Sequence, residues 1–211
     1  MRIKPIVEGS GDVAAVPELL RRLQFDYGLG GHEVEIARPI KWKRSCFNSE
    51  AHVRRAVQLA KAEPDCIGIL IIFDSDDDCP KIHAARVTDW SKQEAGDTPC
   101  EVVMAHREYE AWFLATVESL RGRRGIRGDA ASEAVPEGIR GAKERLETKM
   151  RPNMSYSETT DQVALTCHAD FRITYTGCRS FRRLVNAFRR LLASSGAIVS
   201  EWAEPSPGGG V

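Results

Sequence analysis

An uninterrupted apolar segment that ends in aspartates constrains this chain more than any other feature. Residues 66–73 read CIGILIIF, and DSDDD follows at positions 74–78. A continuous β-branched apolar run is typical of a central strand in a parallel sheet, because helices cover both faces of such a sheet. Carboxylates at this spacing repel one another unless a positive charge lies among them. A divalent metal ion is the first candidate for that charge.

Strand and helix patterns alternate along the first 120 residues. Apolar or alternating segments predict strands in RIKPIV, EVEIARP, CIGILIIF and CEVVMA. Helical spacing predicts helices after EGSGD, over SEAHVRRAVQLAKAE, from about Lys81 to Glu94 and over REYEAWFLATVESL. We therefore expect an α/β fold, with a mostly parallel, Rossmann-like sheet flanked by helices and joined by right-handed crossovers.

The composition changes after Leu120. Residues 121–138, RGRRGIRGDAASEAVPEG, are rich in Gly and Arg and predict an exposed loop. Shorter helices are predicted at about 137–149, 158–167 and 179–193. We expect an α/β core over 1–120, a C-terminal helical elaboration packed on it over 121–200, and a disordered tail over 201–211.

The composition narrows the class of protein without naming a partner. Lys plus Arg and Asp plus Glu number 30 each, which excludes a uniformly basic protein but allows a local basic patch. The six cysteines include no CxxC pair, so neither a zinc ribbon nor a redox motif is indicated. No segment approaches the roughly 18 to 20 apolar residues of a membrane span, and we expect a cytoplasmic protein that does not bind membranes.

Acidic residues follow three of the predicted strands. Glu8 follows the first, Asp74 and Asp76 the third, and Glu108 and Glu110 the fourth. The carboxyl ends of parallel strands meet at one edge of a sheet, where functional groups gather. All three sets are therefore expected on one rim.

Local spacing strengthens this expectation. If DSD is extended, Asp74 and Asp76 lie on the same side and reach one ion. The glycines of EGSGD permit a tight turn that returns Asp12 toward Glu8. Ligands made only of oxygen suit Mg²⁺ or Mn²⁺ and not zinc.

Each piece also has a structural interpretation. Asp77 or Asp78 is suited to capping the helix near Pro80, and Glu8 to ending a strand in solvent. The EYE segment is suited to the first turn of a helix, where carboxylates favour the macrodipole. The order of all the pieces along the chain favours the metal site.

VEGSGD followed by IIFDSDDD resembles the Toprim domain, the metal-binding α/β module of topoisomerases, bacterial primases and the overcoming-lysogenization-defect nucleases. The spacing from Glu8 to Asp12 is closer to the nuclease branch. Four segments are similar to domain-of-unknown-function 4276, a family of small bacterial Toprim-like proteins. They are IVEGSGDVAAVPELLRRL, DSDDDCP, AHREYEAWFLA and SFRRLVNAFRRLL. This similarity runs from Ile6 to about Leu192.

The resemblance implies a set of site residues. Glu8, Asp12, Asp74 and Asp76 match the metal-binding acids of the Toprim nuclease pattern, and Glu108 or Glu110 would supply a further acid. We also include Asp78 among the expected metal ligands. The resemblance also implies a nearby-encoded partner ATPase and a role in phage defence. Toprim topoisomerases need a nucleophilic tyrosine in another domain, and no tyrosine here is singled out, so strand passage is not predicted.

The leading hypothesis is a Mg²⁺-dependent nuclease for DNA or RNA. Two ions would activate water and stabilise the leaving oxygen, with Glu8, Asp74, Asp76 and Glu108 as catalytic acids. A transition-state cation is also expected. Arg182 is the residue assigned to it, with Arg183 as an alternative, and a solvated helix face explains both equally well.

Two other hypotheses stay open. One is a noncatalytic metal- or nucleotide-binding subunit of an ATPase complex. The other is a nucleotide-sugar or phosphate-transfer enzyme, which explains DSD but leaves Glu8 and the REYE acids without a role. No GxxxxGK[ST] motif occurs, so ATP hydrolysis by this chain is not expected. Homo-oligomer formation is left open.

Overall fold

A five-stranded parallel sheet forms the centre of the computed structural model, which describes residues 1–200 and 202. The strand order is β2-β1-β4-β5, and β3 also pairs with the end of β1. Every pairing is parallel, which confirms the predicted α/β class. The strands are β1 (Arg2–Val7), β2 (Glu35–Ile36), β3 (Ile40–Lys41), β4 (Cys66–Asp74) and β5 (Cys100–Ala105).

Helices follow or connect these strands along the described chain. Three short irregular turns accompany them: 3₁₀ turns at Arg44–Asn48 and Pro136–Gly138, and a π-helical turn at Glu158–Gln162. The α-helices are α1 (Asp12–Phe25), α2 (Glu50–Lys61), α3 (Pro80–Ala95), α4 (Glu110–Leu114), α5 (Val117–Leu120), α6 (Ala142–Glu147), α7 (Val163–Thr166), α8 (Phe171–Gly177) and α9 (Arg179–Ser194).

The central strand β4 is covered on both faces, as its uninterrupted apolar sequence predicts. Leu70 and Ile72 point into a core shared with α1 and α9. Ile69, Ile71 and Phe73 point into a second core shared with α2 and α3. Burial of apolar surface on both faces stabilises the strand at about 25 cal/mol per Å². The sheet is therefore a three-layer arrangement with β4 inside.

Two predicted elements are shorter or broken in the structure. EVEIARP contains only the two-residue strand β2, and β3 follows it separately. The single helix predicted over REYEAWFLATVESL is divided into α4 and α5. The helix is interrupted at Thr116, whose backbone is not helical, and the next N–H, of Val117, donates to the Ser132 hydroxyl. A distant side chain thus competes with the helical hydrogen bond.

The arginine–glycine segment 121–138 was predicted to be an exposed loop, and this prediction is only partly right. Ile126 and Ala130 are buried, and Ile126 forms an isolated antiparallel bridge with Met150. The helix predicted at 179–193 is confirmed as α9, the helices predicted at 137–149 and 158–167 are shorter in the structure, and α8 was not predicted. The predicted tail 201–211 lies outside the described residues except for Trp202, whose ring stacks on Tyr27 and Tyr175.

No helix in the described ranges 1–200 and 202 is both long enough and apolar enough to cross a bilayer.

The turn after β1 packs closely against the π-helical turn from the C-terminal part of the chain. A Cβ atom added to Gly11 would lie 2.0 Å from Oε1 of Gln162 and 2.5 Å from the backbone oxygen of Glu158. A side-chain oxygen can rotate away, but a backbone carbonyl cannot do so without moving the π-helical turn. Gly11 is therefore needed for this contact between the two ends of the chain.

We predict that Gly11→Ala destabilises the protein by about 1–3 kcal/mol, the usual range for overpacking. The matched control is Gly128→Ala, because a Cβ atom there meets nothing within 4 Å. This control is expected to change the free energy of unfolding by less than about 0.5 kcal/mol. Urea unfolding of both variants measures the difference, and equal stability of the two would contradict the packing described.

Candidate functional site

The carboxylate of Glu8 lies across the end of β4. Glu8 is the first residue after β1, and the parallel pairing places Val7 opposite Ile72. The Oε2 atom of Glu8 accepts a hydrogen bond from the backbone N–H of Asp74, with an N···O distance of 3.1 Å. The structure thus brings Glu8 and Asp74 together at one edge of the sheet.

Asp12, the first residue of α1, turns back toward the loop after β1. Its Oδ2 accepts a hydrogen bond from the backbone N–H of Gly9 at 2.8 Å, and its Oδ1 accepts one from the side-chain amide of Gln162 at 2.6 Å. Burial raises the pKa of Asp12, and these two hydrogen bonds partly offset that effect. Sequence reasoning missed Gln162, because nothing in its local sequence indicates a contact 150 residues away.

Asp74 experiences the strongest electrostatic crowding in the site. Burial raises its pKa well above the usual range for an aspartate. The negative charges of Asp12, Glu110, Glu8 and Asp76 raise it further, in that order. The charges of four other carboxylates therefore act on Asp74.

Two glutamates in the site titrate near neutral pH. Burial raises the pKa of Glu8 to about 7, although the Asp74 N–H and Arg44 lower it in part. Burial also raises the pKa of Glu110 to about 7, with a smaller contribution from the charges of Glu158 and Glu108. Both side chains can therefore gain or lose a proton within the physiological range.

Arg44 supplies a positive charge among these acids. Its Nε lies 3.3 Å from Oδ2 of Asp76 and 3.8 Å from Oε2 of Glu8, and its Nη2 forms an ion pair with Asp78. The guanidinium also lies 5.5 Å from the ring centroid of Phe73. Sequence reasoning groups Arg44 only with Lys41, Trp42 and Lys43, in a basic and aromatic cluster, and not with the acids. The pairing of β3 with β1 brings it there.

The prediction of an extended DSD segment is wrong. β4 ends at Asp74, and the chain then turns so that Asp76 has a φ of +47°. Ser75 is buried, and its backbone N–H donates to the carbonyl of Ala105 while the N–H of Asp76 donates to that of Arg107. These bonds to the segment after β5 turn Asp76 out of the strand. Its charge still acts on Glu8 and Asp74.

The next two aspartates are held by basic side chains. Asp77 pairs with Arg107 at 2.7 Å and with Arg140 at 3.1 Å. Asp78, a predicted metal ligand, pairs with Arg44 and lies 3.0 Å from Nδ1 of His83, and the Arg44 contact lowers its pKa.

The two glutamates after β5 have different surroundings. Glu108 accepts a hydrogen bond from the backbone N–H of Lys143 at 2.9 Å, near the start of α6. Glu110 is buried, and the buried hydroxyl of Tyr156 adjoins it. The Lys143 ammonium pairs with Glu158 at 2.6 Å, and the Glu110 charge also acts on Lys143. A second cation thus balances this part of the site.

The donor chemistry of the site fits Mg²⁺ or Mn²⁺. Every candidate ligand is a carboxylate oxygen, which is what these hard ions prefer. Within residues 1–200 and 202, however, no three or more His, Cys, Asp or Glu side chains are already arranged to hold a metal ion. The contacts of Arg44 with Asp76 and Asp78 occupy oxygens that an ion would need. The side chains therefore fit a divalent ion in type and would have to rearrange to bind it.

Arg182 and two arginines of the segment 121–138 are engaged elsewhere. Arg182 donates from one guanidinium nitrogen to the carbonyls of Tyr175 and Thr176, both at 2.8 Å, at the end of α8. In the loop, Arg124 pairs with Asp161, and Arg121 donates to the carbonyl of Ala130. The structure does not place the Arg182 guanidinium in a contact with any of the acids.

The fold and this carboxylate-rich edge define a parallel α/β protein with an acidic site at the carboxyl ends of β1, β4 and β5. The chain matches the family described as Domain of unknown function (DUF4276) over residues 7–189, and it belongs to that family. This confirms the family suggested by the sequence motifs.

Two solved structures show similarity to this chain. The C-terminal region of the Burkholderia pseudomallei OLD protein aligns with a TM-score of 0.45 and 16% sequence identity, covering 90% of this chain and 98% of that one. The C-terminal region of the Xanthomonas campestris pv. campestris OLD protein aligns with a TM-score of 0.44 and 15% identity, covering 92% and 97%. No curated protein matches the chain significantly.

We predict that Glu110→Gln stabilises the metal-free protein at pH 8 and has little effect near pH 4.5. The folded chain raises the pKa of Glu110 from an ordinary 4.5 to about 7. Between these values the folded chain holds a proton that the unfolded chain has lost, so stability falls as the pH rises through this window. Ionising this buried group costs about 3 kcal/mol.

Urea unfolding in EDTA at pH 4.5 and pH 8 tests this effect. At pH 8 the free energy of unfolding of Glu110→Gln should exceed that of the wild type by on the order of 1–3 kcal/mol, since the amide carries no charge. The control Glu33→Gln changes an exposed glutamate outside the site, and its difference from the wild type should not depend on pH. A pH-independent effect of Glu110→Gln would contradict the predicted titration.

Proposed function

We propose that this protein is a Mg²⁺- or Mn²⁺-dependent nuclease that hydrolyses phosphodiester bonds of DNA or RNA. One observation carries the proposal: carboxylates gather around Asp74 at the carboxyl ends of the strands, where Glu8 accepts a hydrogen bond from the Asp74 N–H and Glu110 is buried. Such crowding opposes folding unless a positive charge relieves it. The match to the Toprim sequence pattern supplies the reaction class.

We assign metal binding to Glu8, Asp12, Asp74 and Glu110. Asp76 and Glu108 are assigned to the same role on the more open side of the site. A bound divalent ion would polarise the phosphate and lower the pKa of a bound water. Glu8 is the acid we assign to proton transfer. Its side chain is 21% exposed, so water can reach it.

Arg44 and Lys143 are two of the cations at the acids, beside Arg107 and Arg140, which pair with Asp77. Arg44 contacts Glu8 and Asp76, whereas Lys143 pairs with Glu158 and interacts with Glu110. A cation at this edge can hold the charge of an incoming phosphate and stabilise the charge that develops on it during the reaction. We assign that role to Arg44 in preference to Arg182, whose guanidinium is bound to backbone carbonyls.

The expected partner ATPase and the expected role in phage defence rest on the family resemblance. We retain both as parts of the proposal. An activity that appears only when such a partner is added would be consistent with them.

We predict that Asp74→Asn lowers metal-dependent cleavage at least about 100-fold, because it removes a carboxylate at the centre of the site. The assay uses supercoiled plasmid, single-stranded DNA and total tRNA with Mg²⁺ or Mn²⁺, beside an EDTA sample. The control Asp97→Asn removes an exposed carboxylate near the amino end of β5, at the opposite edge of the sheet, and should cleave like the wild type.

Two results would contradict the nuclease proposal. One is cleavage that Asp74→Asn and the wild type perform equally, which would indicate a contaminating enzyme. The other is metal binding by the folded wild type without cleavage of any substrate, with or without a partner ATPase. That result would favour a noncatalytic metal- or nucleotide-binding subunit.

We predict that Arg44→Ala strengthens Mn²⁺ binding several-fold. The substitution removes a cation that competes with the metal for the oxygens of Asp76 and Asp78. Titration calorimetry measures the dissociation constant. Arg54→Ala is the control, because Arg54 also pairs with two carboxylates, Glu50 and Glu94, but on α2 and α3. Weaker Mn²⁺ binding in Arg44→Ala, with the control unchanged, would show that Arg44 supports the metal site and does not compete with it.

A further inference from the structure

A cavity of about 390 Å³ opens at the same edge of the sheet, beside the acids and separate from them. It lies between the start of α3, the end of β5, residues 135–138 and the start of α9. Cys79 and Pro80 in its wall directly follow Asp78, and His106 in its wall precedes Glu108 by two residues. The cavity is therefore adjacent to the acid site along two segments of the chain, one after β4 and one after β5.

Three cationic side chains line this cavity: Lys81, Arg179 and Arg183. All three residues are exposed. Within the described ranges 1–200 and 202, none of them forms a salt bridge, whereas Arg44, Arg107 and Arg140 at the acids are all paired. Three cations with no carboxylate partner face one cavity, so their charge is available to an anion.

One carboxylate also lines the cavity, and its charge is already used. The two oxygens of Glu137 accept hydrogen bonds from the backbone N–H groups of Arg179 and Ser180, both at 2.8 Å. These N–H groups lie at the positive end of the 16-residue helix α9. The helix dipole therefore offsets the negative charge of Glu137, and the cations remain in excess.

The rest of the lining is partly apolar. Pro80, Met104 and Val135 contribute carbon surface, and Val135 is 70% exposed. Ligand sites of 300–1,000 Å³ commonly combine apolar walls with a few charged groups that orient the ligand. An apolar wall beside three cations matches a nucleotide, whose base and sugar present flat or weakly polar surface and whose phosphate is anionic.

We propose that this cavity binds one nucleotide unit of the substrate strand, next to the phosphodiester that is cut. The proposal rests on the nuclease function proposed above and adds to it the site that positions the strand. Arg179, Arg183 and Lys81 bind the phosphate, and the apolar wall contacts the sugar or base. This contact determines which bond reaches the acids.

Binding is measured with a fluorescently labelled single-stranded oligonucleotide in EDTA, so that no cleavage occurs. The test variant Arg179→Gln/Arg183→Gln removes two cavity cations. The matched control Arg55→Gln/Arg172→Gln removes two exposed arginines, on α2 and α8, that likewise form no salt bridge within the described chain. Both variants lose the same charge, so a nonspecific electrostatic effect would be equal in the two.

The test variant is expected to bind at least about tenfold more weakly than the control. Loss of the neutralisation of this one phosphate should also reduce the slope of log affinity against log salt by up to about 0.7. Val135→Glu gives an independent test, because it adds a negative charge to the cavity while all three cations stay in place. It should weaken binding to a similar extent.

Equal affinities of the test and control variants would overturn the inference, as would the absence of oligonucleotide binding by the wild type. Binding of free mononucleotides but not of the oligonucleotide would also overturn it, and would indicate a regulatory nucleotide site. The nuclease proposal is judged separately. Cleavage that requires Asp74 but not the two arginines sustains the function and rejects this cavity. Arginine-dependent oligonucleotide binding without any cleavage sustains the cavity as a nucleotide site and rejects the nuclease function.

Discussion

The parallel pairing of β1 with β4 is the interaction on which the acidic site depends. It places Val7 opposite Ile72, so that Glu8, the first residue after β1, reaches the end of β4. Both faces of β4 are buried in apolar cores, so the two strands cannot slide without exposing large hydrophobic side chains. Glu8 and Asp74 are consequently held close together even though their charges repel. Hydrophobic burial provides the free energy that offsets this repulsion.

The chain limits the repulsion with ion pairs around the rim, while the central acids remain crowded. Arg44, Arg107 and Lys143 each pair with a carboxylate at the edge. Asp74 and Glu110 lie deeper and have strongly raised pKa values. Natural proteins commonly retain such destabilising groups where activity requires them. The acids at the rim form salt bridges, whereas Asp74 and Glu110 form none within the part of the chain that the structure describes. This contrast distinguishes the site from an ordinary surface cluster of charges.

Sequence patterns predicted the long regular elements and the order of the acids, because both depend on local periodicity. β4, α2 and α3 were found close to their predicted bounds. Residues whose roles depend on distant partners were not found. Arg44 reaches the acids only through the pairing of β3, and Gln162 through an irregular helical turn. The extended conformation predicted for Asp76 was wrong because a distant segment decides its backbone: the N–H of Asp76 donates to the carbonyl of Arg107, after β5.

The hydrogen bond between Asp12 and Gln162 joins residues 150 positions apart. During translation β1 and α1 are synthesised long before the π-helical turn, so the nascent chain at first carries Asp12 without its amide partner. The site is thus assembled last, after the sheet that carries most of its acids has already been synthesised. An incomplete polypeptide carries the acids but lacks the group that orients Asp12. This order of synthesis delays formation of the complete site until the π-helical turn has been made.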